Sequence, residues 1–324
     1  MLNVTSTHMI ASYRLVLYFV LAIVVSNTVF AQTVIRKPQR ATPPMLEKED
    51  FQGMFFDKVA EQLVGQPPQD SSVAVAMNKN SQSPVSDESS NGAASVWKER
   101  ISPQSIEDLV KETKLRLDGI VTTPAKFSAG AFKDARRHFT LLAALFTVVE
   151  LYPEKVKWQA SAPVARARFS RVAANTKIGS APAYNEAKLR LEDINSMLKG
   201  TTLSDPSPPV EIAWTEIADR IPSMQLLEWS FRENLSSKVS SEDAFSQSPE
   251  EILKYAELIA MLGETLCQPG MTDGDDADYQ VFARRMIEEA TKVTQAVKLN
   301  NPTMAREAAG QIDQACNACH SSYR

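Results

Sequence analysis

The sequence predicts an all-α protein: two tandem antiparallel four-helix bundles that follow a signal segment and a disordered linker. Three observations lead there. From Trp97 onward, apolar residues recur at helical spacing, and no strand pattern interrupts them. The composition favours helix, with Ala, Leu, Glu, Lys and Arg recurring and only 11 Gly in 324 residues. Finally, two stretches match each other about 120 positions apart, so that four helical segments are followed by four more.

Residues 1–31 read as an export signal. Arg14 supplies a positive start, Leu15 to Val25 is an almost unbroken apolar run, and Val29-Phe30-Ala31 offers small residues for cleavage after Ala31. The alternative is an uncleaved membrane anchor. The run is short for crossing roughly 30 Å of hydrocarbon, and Ser26-Asn27-Thr28 interrupts it. Either reading puts the bulk of the chain outside the cytoplasm, as a periplasmic or exported protein, with a membrane partner only if the signal is retained. Residues 32–96 are rich in Pro, Ser, Gln and Asn and read as a low-complexity linker; Ser81 to Ser95 cannot build a core. Within the linker, Phe51, Met54, Phe55, Val59 and Leu63 have helix-like spacing, compatible with a short amphipathic helix or with a flexible tether.

Residues 97–203 carry the first set of helices. Ile106, Leu109, Val110, Leu115 and Leu117 form an apolar stripe; Ala131 to Leu151 is a long apolar stretch ending before Pro153; Val164 to Thr176 and Ala183 to Leu198 complete the set, the last with Leu189, Leu191, Ile194 and Met197. Three prolines between Thr201 and Pro209 break the chain. Residues 210–324 carry the second set: Val210 to Val239, Pro249 to Leu266, Ala277 to Leu299, and Pro302 to Tyr323, where Pro302 has a favoured helix-start position. The repeat is clearest where Glu99 to Gln104 aligns with Asp219 to Met224, and where Asn185 to Asp193 aligns with Arg306 to Gln314. Units this long are duplicated domains, each an antiparallel bundle with short connections.

Composition removes some functions. A formal net charge of −4 without a basic block argues against nucleic acid as a partner. No paired carboxylates on one helix face, no Ser-His-Asp set and no Gly-rich phosphate loop are present, so the sequence gives no sign of an enzyme. Only three cysteines occur, too few and too uneven for a disulfide-stapled exported domain.

Two of them stand in Cys316-Asn317-Ala318-Cys319-His320, the pattern of haem c attachment. Two thiols three positions apart on a helical turn can add to the two vinyl groups on one side of a haem, and the next residue offers its imidazole to the iron. The competing readings are a redox Cys-x-x-Cys pair, which belongs at a helix start beside a strand, a zinc site, which needs a fourth ligand, and chance. Cys267 reads as a buried small hydrophobe, and His138 as a surface or edge histidine.

The chain's end, Cys316-Asn317-Ala318-Cys319-His320-Ser321-Ser322-Tyr323-Arg324, resembles the cytochrome c-prime and cytochrome c-556 family, in which the attachment motif closes an exported four-helix bundle. The resemblance covers 210–324, and reaches the first half only through the repeat. It implies one covalent haem c on Cys316 and Cys319, with His320 on the iron. It also implies that the side chain four residues after an Arg on the first helix faces the open side of the iron. Here these are Arg220 and Met224, so the resemblance implies His320/Met224 ligation of the low-spin c-556 type; a core methionine filling space is the plain alternative. Arg220 would then pair with a haem propionate or simply be solvated, and Arg324 would lie against the proximal imidazole.

The first half lacks this equipment. Asn195, Leu198 and Lys199 stand opposite Cys316, Cys319 and His320, and Gln104 stands opposite Met224, so a haem-free copy is expected. Family members pair through their first two helices, and the copy could act as an intramolecular partner, a pseudo-dimer, or leave a homodimer to form. Three functions follow in order: electron transfer with an unidentified redox partner protein, binding of a small gas ligand at a five-coordinate iron, and an interaction module of an extracytoplasmic complex.

Overall fold

The computed structural model describes residues 96–205 and 213–323, and all regular secondary structure among them is helical. The expected signal, the linker with its short helix, and Arg324 lie outside the described residues.

The first half begins with α1, Pro103–Ile120, whose N-cap Ser102 accepts from the Ser105 N–H while Pro103 occupies the first turn. Ile106, Leu109, Val110, Thr113 and Leu117 are buried on it, the spacing of one helical face. Leu115 is not among them: it is 68% exposed, a correction to the expected stripe. It lies two positions from Thr113 and from Leu117, on the other side of a 3.6-residue helix, and Thr113 takes the inward place. Helix α2, Phe132–Leu151, follows a π turn over Phe127–Ala131 that contains Gly130 at φ +143°. Its stretch from His138 to Val149 is buried without a break, and the helix stops before Pro153. Helices α3, Ala162–Asn175, and α4, Ala181–Leu198, complete the half. On α4, Leu189 is 52% exposed, against expectation, while Arg190 is buried instead, close to Asp193. Phe139, Phe146 and Phe169 stack together, and Trp158 packs on Phe146 while its indole donates to the Met197 carbonyl (3.1 Å).

The second half opens with a single turn at Trp214–Ile217, then α5, Arg220–Glu228, which widens into a π turn over Trp229–Leu235. A short helix at Glu242–Gln247 precedes α6, Pro249–Leu266. Helices α7, Ala277–Lys298, and α8, Pro302–Ser322, close the chain. The segment from 210 to 239, read in the sequence as one helix, is thus broken before Arg220. Ala218 and Asp219 are extended there, and Asp219 accepts ion pairs from Arg136 and Lys177 of the first half.

In the first half α1 packs on α2, α2 on α3, α3 on α4, and α4 back on α1. In the second, α5 and its π turn pack on α6, α6 on α7 and α7 on α8. The halves meet where α2 touches α5 and α1 touches α6, and one hydrophobic core runs through both. Buried polar contacts fix that junction. The N–H and hydroxyl of Ser102 donate to Glu257 (3.0 and 2.7 Å), which anchors the start of α1 on α6. Glu264, nearly fully buried, takes Arg100 from one side (3.0 Å) and Arg284 from the other (2.7 Å). Glu112 of α1 accepts from Tyr255 (2.6 Å), Lys254 (2.8 Å) and Arg116 (2.8 Å), and the Arg116 guanidinium lies 4.7 Å above the Trp229 ring. Burial pushes the Glu112 carboxyl up, but these donors outweigh it and hold it below the usual range.

His138 is a further correction. It is 2% exposed, with the Trp229 ring set edge-on at 6.0 Å. The indole that covers it comes from the other half, across 91 positions of sequence, so no local pattern revealed the burial. Its Nδ1 has no hydrogen-bond partner, and burial, together with the nearby Arg137 and Arg116 charges, lowers its pKa to about 3. The imidazole is therefore neutral.

Candidate functional site

A cavity of about 690 Å³ lies between α5 and α8, floored by α7. Helix α5 lines it with Arg220, Ile221, Met224 and Leu227, and the π turn after it adds Phe231; α7 gives Tyr279, Phe282, Ala283 and Met286; α8 gives Ala315, Cys316, Cys319 and His320. The positions come from helical geometry. Arg220, Met224 and Leu227 are four and three apart, one face of α5, and Cys316, Cys319 and Tyr323 are three and four apart along α8 and its C-cap. The volume falls within the range of sites for small ligands and cofactors, and the walls are mainly apolar. Ile221 is 64% exposed at the edge.

The sequence motif and the upstream methionine thus share one cavity. Cys316, Cys319 and Met224 are half-buried, His320 is exposed, and no bond joins the two thiols. Burial pushes the Cys316 thiol up to about 11 and raises Cys319 as well. Both thiols sit in the last two turns of the 21-residue α8, at the negative end of the helix dipole. A redox Cys-x-x-Cys pair needs the reverse, a helix N-terminus and a depressed pKa. Among the described residues no three His, Cys, Asp or Glu side chains gather as a metal cage. Cys267, 8% exposed at the end of α6, has a thiol raised by burial, as a small buried hydrophobe should.

Sequence reasoning missed several wall residues. Met286 of α7 is buried, with its Sδ 4.0 Å from the Cys316 Sγ. It stands at the thiol edge of the cavity, and Met224 lines the wall that α5 forms. Tyr279 is 1% exposed, and its hydroxyl has no hydrogen-bond partner, which leaves a buried donor in the wall. Neither residue carries a motif; only the packing of α7 under α5 and α8 identifies them.

Arg220 is engaged by protein groups through both terminal nitrogens. Its guanidinium pairs with Asp273, donates to the Tyr323 carbonyl (2.7 Å) and lies 5.5 Å from the centre of the Tyr279 ring. In the first half, Gln104 is exposed and donates to Asp108 (2.8 Å), and Lys199 is exposed beyond the end of α4. No thiol or imidazole occupies these first-half counterparts.

No protein family, curated protein or solved structure matches this chain. Among the described residues no helix is long and apolar enough to cross a membrane.

Proposed function

We propose that the chain is an exported mono-haem c-type cytochrome that transfers electrons through a six-coordinate His320/Met224 haem. The observation that carries this reading is the convergence of Cys316, Cys319, His320 and Met224 on one apolar cavity of cofactor size. The residues fit the group. Two protonated thiols on one helical turn match two vinyl edges, a single imidazole follows them, and an unpartnered Tyr279 hydroxyl waits in the wall. Bound there, haem c supplies an iron that takes up and releases one electron. The chain does the rest. Cys316 and Cys319 would hold the group, and His320 and Met224 would ligate it. Leu227, Phe231 and Met286 keep water from it, and a thioether ligand raises its potential.

The helix pairing supports reading the chain as two tandem four-helix bundles, 97–203 and 210–324, with haem only in the second. The cross-contacts α1 on α6 and α2 on α5 are reciprocal, as a pair of related subunits would make them. In this reading the first bundle is the built-in partner of the second.

The absorption spectrum of the reduced protein tests the coordination. Low-spin bands are expected, and Met224→Ala should convert them to high-spin while Met286→Ala leaves them low-spin. A high-spin wild type would sink Met224 ligation and favour the gas-binding alternative.

A further inference from the structure

We propose that Arg220 acts on the iron ligand through the backbone, as a latch on the last turn of α8, and not as a direct partner of the haem edge. The inference rests on the haem reading above. Helix ends leave their last four carbonyls without partners inside the helix, and they fray. His320 stands in such a turn: it is exposed, and among the described residues no hydrogen bond holds its imidazole. A ligating histidine normally has its second nitrogen fixed by a neighbour. In this reading the helix end itself sets the orientation.

That end is tied down at Tyr323. Its N–H donates to the Cys319 carbonyl (2.9 Å), and its own carbonyl accepts from Arg220 Nη2 (2.7 Å). Arg220 is the first residue of α5, and its other terminal nitrogen pairs with Asp273, which lies in the loop before α7 at φ +60°, a conformation Asp tolerates better than most residues. The Tyr323 ring meets Tyr279 edge-on at 5.2 Å, and its hydroxyl donates to Asp276 (2.6 Å). The same Asp276 oxygen caps α7 through the Tyr279 N–H (3.0 Å). The start of α5, the loop before α7, the start of α7 and the end of α8 therefore meet at one residue, three positions past His320. A guanidinium there also complements the negative end of the helix dipole.

The test uses the holoprotein, with low-spin bands and helix circular dichroism followed together on heating. In the wild type both signals should be lost together. In Arg220→Ala the low-spin bands should go at least about 5 °C below the helix signal, and Arg220→Lys, which keeps charge but not the fork, should fall between. A chain ending before Tyr323 should behave like Arg220→Ala, and adding Arg220→Ala to it should change nothing further. A chain ending at Tyr323 isolates the loss of Arg324 and should keep the coincident melts. The latch is overturned if bands and helix melt together in Arg220→Ala, or if that substitution costs as much in the chain lacking Tyr323. A wild type without haem bands refutes the haem reading separately. Hydrogen exchange then judges the latch alone: the Tyr323 amide should exchange about tenfold faster in Arg220→Ala, and an unchanged rate refutes it.

Discussion

Replacing His138 by leucine should remove a large part of the protein's acid sensitivity. In the folded chain its pKa is lowered from 6.5 to about 3, first by burial and then by the Arg137 and Arg116 charges. Once unfolded, the same imidazole takes a proton near pH 6.5. Below that pH the unfolded state binds a proton that the folded state refuses, so folding stability is complete above about 6.5 and falls as pH falls. The slope is about 1.4 kcal/mol per pH unit, or about 3 kcal/mol between pH 7 and 4.5. Leucine removes the titration and the unpartnered Nδ1 at once, in a pocket closed by Trp229. Urea unfolding followed by helix circular dichroism, from pH 7 to 4.5, measures both proteins. Carboxylate contributions are common to both and cancel in the difference. Equal pH slopes for wild type and variant would refute the reasoning, because they would mean that the folded protein lets His138 ionise.

Other substitutions probe the junction and the cavity wall. Glu264→Ala leaves Arg100 and Arg284 facing each other without their carboxylate. It should cost about 2–3 kcal/mol, less than a fully buried pair because Arg284 is 43% exposed; an unchanged urea midpoint would show that the triad does not hold the halves. Tyr255→Phe removes the hydroxyl donor of Glu112. Glu112 is held below the usual range, so its stabilisation is present above the unfolded carboxyl pKa and lost as pH falls through the folded one. Acid titration of the variant should therefore show a smaller loss, complete at higher pH, because its folded carboxyl is held down less. Gly263→Ala puts a methyl 2.7 Å from Ile287 Cγ1 and 2.9 Å from Met286 Cε. Overpacking of about 1–3 kcal/mol opposes a helix gain of about 1 kcal/mol, so thermal melting should fall by a few degrees and the wall beside Cys316 should shift.

The helices were legible where the sequence carries its own boundaries. Pro249 and Pro302 mark helix starts, and apolar residues at one spacing fill the faces behind them, so α6 and α8 fall where the pattern puts them. Of the residues singled out in the sequence, Cys316, Cys319 and His320 of the motif and Met224 line one cavity. What the sequence withheld depends on contacts between distant positions. The Trp229 ring over His138, the Tyr323 carbonyl on Arg220 and the Met286 sulfur beside Cys316 have no local signal. Leu115 and Leu189 depart from the pattern for a simpler reason. Leucine chemistry favours an inward place, but Thr113 and Arg190 hold the inward positions of those turns.

The most direct test of the central claim is acid-acetone extraction of protein produced in a host able to attach haem c. The account predicts that the haem colour stays with the polypeptide in the wild type and is lost from the Cys316→Ala/Cys319→Ala variant. A colourless wild-type polypeptide, or haem that extracts freely from it, would contradict the account.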